Sequence, residues 1–208
     1  SEEIQEYKNR GGLNNDWDLT EAIIRDKGIA VDKKTIIARF QSYYNKLRNI
    51  IGKLLLKFLK ERNNKEIHIF EVGCGTGETT RIILDSDPRI KLIAIDNEPI
   101  LLAKAEERLK TYLINRLELI NSDALTYTKE CLDNSFDIFV SSFVLHNFEK
   151  KYRYKFLGQI YRILKNGGYF ITVDKYALNN QKTDNRLFSA QIKALNIFDK
   201  IGKTQLKN

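Results

Sequence analysis

The segment Ile67–Thr80, IHIFEVGCGTGETT, constrains this chain more than any other. A short apolar run rich in β-branched residues leads into Gly73, Gly75 and Gly77, and a helix-compatible stretch follows at once. The pattern predicts a strand, a tight loop and a helix. Glycine lets the backbone take positive φ and approach a ligand with no Cβ in the way, while the free N–H groups of a first helical turn favour negative charge. Glu71 places a carboxylate at the strand end. Such a turn is suited to a nucleotide-like ligand.

Spacing separates three loops of this kind. The dinucleotide fingerprint G-x-G-x-x-G needs a glycine five positions after the first, but that position is Glu78 counted from Gly73 and Thr80 counted from Gly75. A phosphate-cradling P-loop needs Gly-Lys followed by Ser or Thr, and no such tripeptide occurs here. What remains is acidic-x-G-x-G-x-G, and EVGCGTG resembles the first motif of class I S-adenosylmethionine (SAM) dependent methyltransferases. That resemblance implies a SAM site bordered by Glu71, Gly73, Cys74, Gly75, Thr76 and Gly77.

Along the chain, residues 1–15 read as polar helix and loop; Asp16 can cap a short helix ending at Gly28, and Asp32 a longer one running past Lys60. These form a helical N-terminal lid over residues 1–62, in which Phe40, Tyr43 and Tyr44 cluster. From residue 63 to 208 strand and helix alternate: IKLIAID, EPILLAKAEERLKTYL, RLELI, a short helix near TYTKECL, FDIFVSS, YRYKFLGQIYRILK and GYFITVDKY. Apolar strands separated by helices predict an α/β fold with a doubly wound, mainly parallel, Rossmann-like sheet, with ligands at the carboxyl ends of its strands.

The strand ends strengthen the resemblance, which runs from about Phe40 to Tyr176. Asp96 stands at the end of IAID, about twenty residues past the loop, where an acidic residue accepts hydrogen bonds from ribose hydroxyls in related folds. The family likeness implies that Asn97 and Ile100 lie beside adenosine, that Asp123 and Ala124 meet the adenine, and that Tyr44 folds over the SAM site. It also implies that Ser141, Ser142, Phe143 and His146, with Asp174, Lys175 and Tyr176, lie near the transferred methyl group. His146 is the candidate proton acceptor; the other histidine, His68, sits inside the first strand and reads as structural. The antiparallel strand pair that normally closes this family's sheet is not evident after Tyr176, so either the chain is a piece of a longer protein or the fold is trimmed.

Charge and cysteine usage bound the function further. A net charge of +8 invites nucleic acid, but the lysines are spread along the chain and travel with Ile and Asn, so the reading is a solvated basic surface. Cys74 and Cys131 have neither metal spacing nor a disulfide framework and read as small residues, with no metal expected. No apolar run reaches spanning length and no secretory signal opens the chain, which points to the cytoplasm; the absence of methionine suggests a trimmed start. The expected activity is methyl transfer from SAM, yielding S-adenosylhomocysteine (SAH), to a small-molecule acceptor. The alternatives are an RNA (tRNA) methyltransferase, an enzyme like the carboxy-SAM synthases, whose fifth strand ends similarly to VDKY, or a non-catalytic SAM-binding scaffold.

Overall fold

The computed structural model describes residues 32–60 and 66–174, with isolated positions at 22, 25, 26, 28 and 63. Of the helix expected over residues 17–27 only Ala22, Arg25 and Asp26 are described, all three helical, while Lys175, Tyr176 and everything beyond, where the closing strand pair would follow, lie outside the described residues. Contacts divide the chain into two compact units, residues 1–46 with 177–208, and residues 47–176. The boundary falls within helix α1, Lys33–Leu59.

In the first unit Asp32 caps α1: its carboxylate accepts from Thr35 N at 2.9 Å and Thr35 Oγ1 at 2.7 Å, satisfying a donor the first turn would otherwise leave open. Phe40 and Tyr44, one turn apart on this helix, pack as a tilted pair with ring centroids 6.0 Å apart.

The second unit is a five-stranded parallel sheet in the order β3-β2-β1-β4-β5. In chain order its elements are β1 Ile67–Val72, α2 Glu78–Ser86, β2 Ile90–Asp96, α3 Pro99–Leu109, β3 Leu117–Asn121, α4 Ala124–Glu130, β4 Phe136–Ser142, a 3₁₀ turn Leu145–Asn147, α5 Lys150–Ile163 and β5 Leu164–Val173. The two-residue period of each strand sends its side chains to opposite faces. Ile67, Ile69, Ile138 and Val140 pack under Ile51, Leu55, Ile83 and Leu84, while Phe70, Val72 and Phe139 pack under Phe156, Ile160 and Ile163. Both faces are therefore covered, which explains why β1 and β4 are nearly continuous apolar runs.

Arginines close the helix ends on the far side of the sheet from the glycine loop. Arg116 donates to Leu84 O at 2.7 Å and Asp87 O at 2.5 Å, and Arg162 to Thr128 O at 2.6 Å and Cys131 O at 2.8 Å, covering the orphan carbonyls after α2 and α4. The buried Asp137 accepts from His68 N and from Lys165 Nζ, both at 2.9 Å, tying β4 to β1 and β5. The His68 side chain itself is half exposed beside Glu66. Helix α5 stops at Ile163 and the chain enters β5 directly; the register jumps between the pairs Phe136–Leu164 and Ile138–Tyr169, so Lys165–Gly168 form a bulge where the sequence suggested helix followed by loop. None of the described helices is long and apolar enough to cross a membrane.

Candidate active site

Strands β1, β2 and β4 end together, and a cleft of about 600 Å³ opens above them, within the size range of about 300–1,000 Å³ usual for small-ligand sites. The order β3-β2-β1-β4-β5 reverses direction at β1, and this switch point is where a parallel sheet leaves a crevice. The glycine loop forms its floor. Gly73 and Cys74 donate to Ile95 O at 2.8 and 3.1 Å, Gly75 donates to Asp96 Oδ2 at 2.8 Å, and Gly77 to Cys74 O at 2.9 Å. Four loop N–H groups are thus spent inside the protein, the opposite of a phosphate cradle, which keeps them free for the ligand.

Asp96 is the hub of the cleft. Besides Gly75, its Oδ1 accepts from Glu98 N at 2.9 Å, so each carboxylate oxygen carries one backbone hydrogen bond and retains one acceptor position. Two vicinal hydroxyls match that remaining pair. Asp123 caps α4 through Thr126 N at 2.9 Å and accepts from Tyr152 Oη at 2.7 Å, while the Tyr152 hydroxyl receives Leu125 N at 2.9 Å. Desolvation raises the Asp123 carboxyl, but the hydrogen bonds from Tyr152, Thr126 and Leu125 outweigh it and hold it below its ordinary value.

The ionisable side chains lining the cleft are Asp96, Glu98, Asp123 and Tyr152, without a lysine, arginine or histidine among the described residues, although the chain as a whole carries +8. Such a lining opposes a pyrophosphate and suits a ligand with a positive centre.

Of the residues singled out from sequence, Gly73, Gly75, Asp96, Asn97, Asp123, Ala124, Ser142 and Phe143 line the cleft. Cys74 is buried beneath it, where burial pushes its thiol up. Thr76 and Gly77 do not line it; Gly77 faces Leu109 and Ala105 of α3. Ile100 is 66% exposed, and Leu101 faces the cleft instead. Ser141 is fully buried, pointing away from Ser142. Tyr44 belongs to the other compact unit. Glu98, Leu101, Val144, Asn147, Phe148 and Tyr152 join the lining without having been singled out.

Phe143 sits at φ +61°, a left-handed conformation that a bulky residue rarely takes. Its N–H donates to Val173 O at 2.8 Å, and the Arg48 guanidinium of α1 stands 6.0 Å from the ring centroid. Three residues on, His146 occupies the 3₁₀ turn. Its ring Nδ1 contacts Asp174 Oδ1 in a short hydrogen bond, and its backbone N–H donates to Asp174 Oδ2 at 3.1 Å.

Glu71 lies under the loop with its side chain buried, accepting from Thr80 Oγ1 at 2.8 Å. Burial pushes its carboxyl up to about 8, against the opposing pull of the Thr80 hydroxyl and the Arg48 charge, with Asp96 adding to the rise. The folded protein therefore keeps a proton on Glu71 that the unfolded chain loses near the ordinary 4.5, and it binds more protons than the unfolded state between those values. The stabilisation from this group is complete below the lower value and lost as pH climbs through the higher one. We expect the urea midpoint of the protein to fall between pH 5 and 8 and that of Glu71→Gln to fall less; parallel profiles would show that Glu71 is ionised throughout.

Residues 69–168 match the model of a methyltransferase domain. The malonyl-[acyl-carrier protein] O-methyltransferase of Paenibacillus sp. is 33% identical over 92 residues, 42% of this chain and 33% of that protein. The carboxy-S-adenosyl-L-methionine synthase of Nautilia profundicola is 26% identical over 157 residues, 76% of this chain and 63% of that protein. The chain thus spans between a third and just under two thirds of these two relatives' lengths. The crystal structure of the CurJ carbon methyltransferase shares the fold, with a TM-score of 0.54 and 20% identity over 71% of this chain and 39% of that one.

Proposed function

We propose that this chain, whose residues 69–168 match a methyltransferase domain, binds SAM in the cleft above β1, β2 and β4 and transfers its methyl group to a small-molecule acceptor. The observation that carries the reading is the cleft's acidic lining over a loop whose N–H groups are already spent. A ligand with a sulfonium and an ammonium is favoured there, and a dinucleotide is not.

When bound, SAM supplies a methyl carbon on a positively charged leaving group, so the protein's task is orientation, exclusion of water and disposal of a proton. In this reading Asp96 holds the ribose hydroxyls, Asn97 and Leu101 flank the adenosine, and Asp123 and Ala124 meet the adenine edge. Gly73 and Gly75 let the chain approach the ligand, and Phe143 closes the methyl end. Glu71, Cys74, Thr76, Gly77, Ile100 and Ser141 support the site from behind, except that Ile100 is open to solvent. His146 is the proton acceptor at the acceptor end.

The same acidic lining repels a phosphate backbone, which favours a small acceptor over RNA. The longer alignment with a carboxy-SAM synthase, 157 residues against 92, supports a second reading in which the chain modifies SAM itself. We place the protein in the cytoplasm, where a SAM-consuming enzyme meets its cofactor. Calorimetry tests the reading: SAM and SAH should bind with micromolar affinity and NADH should give no heat, whereas NADH binding without SAM binding would sink it.

A further inference from the structure

We infer that Asp174 is a positioning residue that makes His146 a base, and that the acceptor is therefore a phenolic or enolic hydroxyl; this rests on the methyl-transfer reading above. Asp174 follows β5 and His146 follows β4, so the sheet itself brings together two residues 28 positions apart. Both carboxylate oxygens of Asp174 are used on His146, Oδ1 on ring Nδ1 and Oδ2 on the backbone N–H, which fixes the ring and the turn that carries it at once. Arg153 holds the same turn from the other side by donating to Phe148 O at 2.8 Å.

A carboxylate can only accept, so this contact selects the tautomer with the proton on Nδ1 and leaves a lone pair on Nε2. The Asp174 side chain is fully buried while that of His146 is 26% exposed. The ring edge against Asp174 therefore faces inward, and the open edge is the one bearing Nε2. The neighbours Val144, Asn147 and Phe148 line the cleft, so the turn that carries His146 forms part of its wall.

A base held in this way has work only if the acceptor carries a proton. As the hydroxyl oxygen bonds to the methyl carbon, the sulfur–carbon bond breaks, its electron pair stays on sulfur as neutral SAH, and the hydroxyl proton passes to Nε2. Asp174 then faces the imidazolium so formed. A carboxylate acceptor would need no such arrangement. Imidazole matches hydroxyls of moderate acidity best, and Phe143, which closes the methyl end, gives the cleft an aromatic face for a flat acceptor.

The test uses the whole chain as His68→Gln, which leaves His146 the sole imidazole. In the SAH complex, nitrogen NMR should report Nδ1 protonated and Nε2 bare, and added phenol should shift the Nε2 resonance. Asp174→Asn should abolish the tautomer preference, leave SAH affinity within about twofold by calorimetry, and lower label transfer from methyl-labelled SAM to phenols at least tenfold; Asp174→Glu should restore part of it. A proton on Nε2 in the parent, an Nε2 resonance that phenol leaves unmoved, or transfer undiminished in Asp174→Asn would overturn the inference. Should Asp174→Asn fail to fold, the tautomer and the phenol response of the parent decide. Failure of SAH to bind at all would instead count against the methyl-transfer reading, and calorimetry shows that separately.

Discussion

Asp96→Ala is expected to weaken SAH binding roughly ten- to a hundredfold, about 1.5–3 kcal/mol, the usual scale for hydrogen bonds to a charged partner. Two effects add. The ribose hydroxyls lose the acceptor position that each carboxylate oxygen keeps open, and the N–H groups of Gly75 and Glu98, at 2.8 and 2.9 Å, lose the group that sets the loop beside the ligand. Asp96→Asn should fall between parent and alanine, because one carbonyl oxygen still accepts while the amide turns donors toward the other partner. Titration calorimetry with SAH checks the prediction, with a thermal melt to confirm that the variant is folded. Affinity within twofold of the parent would remove Asp96 from the cofactor site.

The sequence carries this part of the site because local chemistry dictates it. A strand that ends in Asp96 one crossover after a glycine loop has few places to go in a parallel sheet, and Asp123 announces α4 because a short acidic side chain before a helix satisfies its first free N–H groups. What the sequence leaves open is rotation and distance. Ile100, Leu101 and Leu102 are all aliphatic, so nothing in the pattern tells which of them a helix starting at Pro99 will turn toward the ligand; the fold exposes Ile100, aims Leu101 at the cleft and buries Leu102. Ser141 and Ser142 pose the strand version of the same ambiguity, since one step of the two-residue period decides which of the two residues lines the cleft.

Distance hides the rest. Tyr152 reaches Asp123 across 29 positions and Asp174 reaches His146 across 28, and neither partner carries a local signal of the other. Only the order of strands, with β4 beside β5 and α5 packed back over the sheet, brings them within bonding range. The carboxylate at the end of the fifth strand could be picked out from its position, but its role as a clamp on a histidine required the register of the sheet.

Gly73→Ala is expected to lower the stability of the fold by about 2–5 kcal/mol and the melting temperature on the order of 5–15 °C, while Gly75→Ala is expected to spare the fold and injure binding. Both residues have positive φ, +69° and +53°, so each substitution carries the left-handed penalty of about 1–2 kcal/mol for an L side chain. Their surroundings then separate them. A Cβ on Gly73 would lie 2.2 Å from Val144 Cγ2 and 3.1 Å from Val144 Cβ, a contact with a stiff β-branched residue whose relief costs about 1–3 kcal/mol of overpacking. A Cβ on Gly75 meets nothing within 4 Å, because that side of the residue is the open cleft. There the methyl group would occupy space the ligand needs, so SAH affinity should fall at least tenfold with a melting temperature within a few degrees of the parent. Equal destabilisation of the two variants would mean that the loop is held by its backbone conformation alone, and unchanged SAH binding in Gly75→Ala would move the ligand away from the glycine loop.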